Sequence, residues 1–157
     1  MYYKVMTAEL RSAWMEDKAS IQYVVGETVY PKAGKLFVFD DLVEATKFAN
    51  VPNKMRYKDK RLLYECEVTN PGPPPEFIPW CAWTEFELFW NILEMGRYTW
   101  TSRPPEYSDG RREAILTSGD PRDFSCILPL AHTVCVDSVK LTKRVDYVEV
   151  GYCTTKS

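Results

Sequence analysis

Apolar positions along the chain fall into short runs, and the clearest of them changes period partway through. Leu36, Phe37, Val38 and Phe39 are four consecutive apolar residues after Gly34, the length of a buried strand and too short for a helix. Asp40 and Asp41 follow where a helix N-cap belongs, since a carboxylate there accepts bonds from the free amides of the first turn. Leu42, Ala45 and Ala49, with Phe48 beside them, then recur at three- and four-residue steps, which predicts a helix with one apolar stripe, ended by Pro52.

A second helix is predicted by Phe86, Phe89, Trp90 and Leu93 at positions i, i+3, i+4 and i+7, with Glu85, Asn91 and Glu94 on the other face. Thr84 and Glu87 have the spacing of a capping box, and Gly96 supplies a left-handed stop. An aromatic stripe of this kind is expected in a core, the alternative being an interface for a partner. Strands are predicted in YYKVM at the start, on both sides of Gly26-Glu27, in RLLYECEV (61–68), and in AILTSG, FSCILPL, TVCVDSVKLTKRV and YVEVGYC, with a bulge or break at Asp137-Ser138. Residues 11–20 carry no clean period and are expected to form a loop or a short helix. The proline-rich stretch at 70–79 is expected to cross within a domain, because the aromatics after it need a surface to pack on. The chain therefore predicts a single α+β domain over residues 1–157, with a mixed or mostly antiparallel sheet and two principal helices.

Composition agrees with a packed domain: the 157 residues are 45% hydrophobic, 14% aromatic and 27% charged. Twenty Lys and Arg against 22 Asp and Glu leave a net charge of −2 and a pI near 5.5, without the basic excess of a general nucleic-acid binder. No apolar run approaches the ~20 residues of a membrane span, and the N-terminus lacks a basic segment followed by an apolar stretch. A cytoplasmic protein is expected. Five cysteines without a C-x-x-C pair suggest reduced, buried thiols, with neither a disulfide framework nor a zinc knuckle. One histidine, His132, precludes a two-histidine metal site within the chain.

Candidate chemistry is sparse. Helix capping accounts for Asp40-Asp41, and an ordinary turn accounts for TSGD (117–120), which could otherwise form an anion-binding nest. There is no P-loop, no G-x-G-x-x-G and no G-x-S-x-G. No cofactor is expected, and catalysis is not favoured. What remains is a local charge asymmetry. In NKMRYKDKRL, Lys54, Arg56, Lys58 and Lys60 recur every two residues, with Tyr57 between them and Arg61 as a fifth positive charge. A solvated loop would also produce such a run. Its functional alternative is a site for a partner's acidic surface or a small anionic, nucleotide-like ligand, joined by Arg111 and Arg112 in the loop at 101–113.

Two resemblances add to this reading. The strand at 36–39, the helix ending Phe48-Ala49 and the strand RLLYECEV resemble in order a part of the ADP-ribosyltransferase-like fold. That resemblance implies an enzyme acting on NAD or a non-catalytic nucleotide-binding relative. Its enzymes place a hydroxyl strand before an E-x-E pair, or an early His with a Tyr and a Glu. Here Glu65 and Glu67 precede Thr117-Ser118, and His132 comes late, so the catalytic set is not matched. The whole layout, from YYKVM through LFVFDDLVEATKFA and YECEV to TVCVDSVKLTKRV, resembles small bacteriophage accessory proteins. This implies a binding or inhibitory protein that acts on a host or defence component in the host cytoplasm.

Overall fold

Residues 36–39 alternate on a pleated strand, so Leu36 and Val38 point to one side and Phe37 and Phe39 to the other. In the computed structural model, which describes residues 1–12, 21–50, 61–79, 83–96, 98–102, 113–117, 124–127 and 129–147, this strand reaches all three hydrophobic clusters. Leu36 and Val38 join Met6, Tyr23, Cys66, Val136, Val139 and Leu141. Phe39 joins Val5, Ala45, Ala49 and Leu63, and Phe37 packs against Phe89, Trp90 and Cys135. The segment is scaffold.

Ten strands and two helices are described, in the order β1 (Tyr2–Thr7), β2 (Thr28–Val29), β3 (Leu36–Phe39), α1 (Leu42–Ala49), β4 (Arg61–Thr69), β5 (Ile78–Pro79), α2 (Trp83–Met95), β6 (Thr99–Ser102), β7 (Glu113–Thr117), β8 (Phe124–Ile127), β9 (Thr133–Val136) and β10 (Ser138–Val145). They form a six-stranded sheet, β2-β10-β4-β1-β3-β9, and a four-stranded sheet, β5-β8-β7-β6, with every described pairing antiparallel. The fold is an α+β single domain. Its centre is the long pairing of β4 with β1, which runs from Tyr2↔Cys66 to Thr7↔Arg61, and with β10 on the other side.

α1 lies on the face of the large sheet that carries Val5, Phe39 and Leu63, and buries Ala45 and Ala49 there. Its stripe is narrower than the spacing predicts, because Leu42 at the first helical position stays exposed. Only Asp41 caps the helix, accepting from the Glu44 amide at 3.0 Å. Asp40, also read as a cap, instead holds His132 Nδ1 at 2.9 Å, while its own amide donates to the His132 carbonyl at 3.1 Å.

α2 buries Phe89, Trp90 and Ile92 and half-buries Leu93, against Phe77, Cys126 and Cys135, with Phe37 and Trp100 around them. It begins at Trp83, one residue ahead of the Thr84 expected to cap it, and Glu87 is exposed. Gly96 stops it at φ +70°. The proline-rich crossing runs along β9: the Gly72 and Cys135 amides each donate to the other's carbonyl at 2.9 Å, which covers the edge of the six-stranded sheet before β5 opens the second one. The break expected at Asp137-Ser138 falls at Asp137, between β9 and β10. Of the strands expected at the C-terminal end, YVEVGYC begins at the non-strand Tyr147 and otherwise lies outside the described residues, as does most of 11–20. No described helix is long and apolar enough to cross a membrane.

Candidate functional site at the ends of β4 and β10

β4 opens on Arg61, and alternation places Arg61 and Leu63 on the α1 side of the sheet. Arg61 is only 7% exposed. Its Nη1 donates to the Phe48 carbonyl at 2.7 Å, and its guanidinium carbon lies 5.0 Å from the centre of the Phe48 ring. The Phe48 carbonyl is in the last turn of α1, where the aligned peptide dipoles leave partial negative charge, so the cation stabilises the helix end. Tyr147 donates its hydroxyl to the Arg61 carbonyl and holds the returning chain against the strand. Burial lowers the Arg61 pKa, an effect that the Tyr147 phenol partly offsets. No carboxylate among the described residues comes within ion-pair distance of it.

The last pairing between β4 and β10 is Leu63↔Val145. Beyond it the strand ends border an open groove of about 360 Å³ lined by Arg61, Leu62, Leu63, Arg144, Val145, Asp146 and Tyr147. Arg144 pairs with Tyr64, and alternation turns it to the sheet face opposite Arg61. The groove is therefore flanked by one arginine from each face. Arg144 is exposed and makes no ion pair with a described residue.

Of the cations proposed from the sequence, only Arg61 falls within the described residues; Lys54, Arg56, Tyr57, Lys58, Lys60, Arg111 and Arg112 lie outside them. Arg61 is a buried strand residue rather than the last charge of a loop. Residues 54–60 immediately precede it in the chain. Arg144 was hidden in the sequence because LTKRV reads as strand, although the adjacent Lys143 and Arg144 repeat the pairing of Lys60 and Arg61.

The other candidates lie outside the groove lining. Glu65 is half-buried and Glu67 exposed on β4, opposite Lys143 and Lys140 of β10. Cys66, Cys126 and Cys135 are buried free thiols, and burial pushes the Cys66 and Cys135 pKa values up to about 12. Such thiols are poor nucleophiles and poor ligands. Cys81 and Cys153 lie outside the described residues. Among the described residues, no three His, Cys, Asp or Glu side chains come together as a metal site. Comparison with models of known protein families, with curated proteins and with solved structures finds no match.

Proposed function

We propose that the protein is a binding module, acting without a cofactor, that recognises an anionic group at the groove between the ends of β4 and β10. One observation carries the reading. Two arginines flank a single groove, neither has a carboxylate partner among the described residues, and one of them is nearly buried. A guanidinium is charged at every physiological pH and presents five donors in a fixed fork, which suits carboxylate and phosphate oxygens. Arg61 spends one donor on Phe48. The basic run at 54–60, which precedes Arg61 in the sequence, carries four further positive charges against the single Asp59. The resemblance to bacteriophage accessory proteins supports a target in a host cell, where the protein would bind and inhibit a host or defence component.

The test is a titration of the full chain with anionic probes, poly-L-glutamate and adenosine 5′-monophosphate, at 0.05 and 0.3 M salt. Binding should weaken with salt, since exposed charge contacts are screened over ~10 Å at 0.1 M. The reversal Arg56→Glu with Lys58→Glu should abolish it and leave the melting temperature within a few degrees. Salt-independent binding that survives both reversals would refute the reading.

A further inference from the structure

The six-stranded sheet ends on β9 at one side and on β2 at the other, and the chain treats its edges differently. β9 is covered by the crossing loop, through the reciprocal Gly72 and Cys135 backbone bonds. Past Leu141, where the β2 pairing has stopped, β10 has a bulge before Lys143 and carries exposed Lys143 and Arg144. Bulges and cations keep a bare edge from pairing with another chain. β2 has neither device. No described strand pairs with its outer side, and from Gly26 to Tyr30 the only charge is Glu27. Apolar surface collects there instead. Tyr30 is 68% exposed, and Val24 and Val25, at 47% and 45%, sit in the turn whose Gly26 amide donates to the Leu141 carbonyl at 2.9 Å.

We propose that the outer edge of β2 is the contact between two copies of this chain, paired antiparallel about a two-fold axis so that their large sheets run on into each other. The side-chain pattern is self-complementary. Val29 pairs with Val139 and points to the face that holds Val136 and Leu141, so Thr28 and Tyr30 point to the other face. Residues opposite each other across a seam share a face, which centres a two-fold register on a residue. Centred on Val29, it sets Val29 against its own copy and Thr28 against Tyr30 of the second copy, a β-branched residue against an aromatic ring. Glu27 then falls opposite Pro31 and not opposite itself, so no like charges meet. The edge has no cation and no run of carboxylates with which to select a charged foreign strand. Pro31, without an N–H, ends the pairable stretch, and pairing uses up the edge of both copies, so association closes at two. No residue of β2 lines the anion groove, and the two sites stand or fall separately.

Sedimentation velocity of the full chain from micromolar to near-millimolar concentration tests this. The average mass should rise from the 18.2 kDa of one chain toward twice that value and no further. Tyr30→Lys sets a cation against Thr28 and its neighbour Lys140 of the second copy, and should hold the protein at the one-chain mass throughout. Because Tyr30 is exposed, the dilute variant should melt within a few degrees of the wild type. In the wild type, hydrogen exchange over residues 28–30 should slow as concentration rises, with α1 unchanged. A one-chain mass at every concentration would overturn the proposal, as would association past two copies. A dimer that Tyr30→Lys leaves intact, or one whose exchange at 28–30 does not respond to concentration, would place the contact elsewhere and overturn it too.

Discussion

Gly34 sits at φ +60° against the indole of Trp90, and a Cβ built on it would clash with that ring at its Cδ2. Gly34→Ala should therefore destabilise the protein in two separable ways. The left-handed backbone costs an alanine about 1–2 kcal/mol. Displacing a ring that is only 7% exposed and packed on Phe37 and Phe89 adds an overpacking cost of about 1–3 kcal/mol. The sum, about 2–5 kcal/mol, corresponds to a melting temperature lowered by roughly 4–20 °C for a domain of this size. Trp90→Ala alone should cost about 3–5 kcal/mol through the cavity it leaves. In that background the ring is gone, and Gly34→Ala should cost only the backbone part. A double-mutant cycle by urea denaturation should accordingly give a coupling of about 1–3 kcal/mol. Additivity within about 0.5 kcal/mol would refute the placement of α2 over the turn before β3.

Two further outcomes follow from the thiols and from Asp137. Iodoacetamide at pH 8 should leave Cys66, Cys126 and Cys135 unmodified until denaturant is added, as peptide mapping would show, because all three are buried. With folded-state pKa values raised to about 12, Cys66 and Cys135 contribute stability that is intact below the ordinary thiol range and lost as pH rises from about 9 toward 12; replacing both with Ser should flatten that alkaline limb. Asp137 is held below its ordinary pKa by hydrogen bonds from Lys35 and then Asn70, so its contribution is present above about pH 4 and lost as pH falls through the lowered value. Asp137→Asn should make the acid limb of a denaturation series shallower, and an unchanged limb would show that the contact is idle in solution.

Where neighbours in sequence carry the signal, the sequence could be read. The cap at Asp41, the buried Ala45 and Ala49, the Phe89-Trp90 core pair and the stop at Gly96 all depend on spacings of a few residues. Ile92 escaped a stripe drawn from Phe86, yet it lies three residues after Phe89 and is buried with it. Features set by distant pairing were not legible. Asp40 meets a histidine 92 positions away, and the crossing loop pairs with Cys135 on an edge that exists only once β3 and β9 have joined. The same holds for the site. Arg61 read as one more charge in a basic run, but its pairing with Thr7 makes it the first residue of a central strand and buries it. Arg144 reaches the same groove only because β10 returns beside β4. Division of the strands into two sheets likewise depends on register and edges, which apolar runs do not encode.

The most direct test of the groove is to locate an anion in it. Crystals of the full chain soaked in tungstate, a heavy tetrahedral dianion, should give an anomalous peak in the groove at the ends of β4 and β10, and the peak should vanish in Arg144→Glu. Tungstate bound elsewhere with nothing in the wild-type groove, or a groove peak that survives the reversal at full height, would contradict the account.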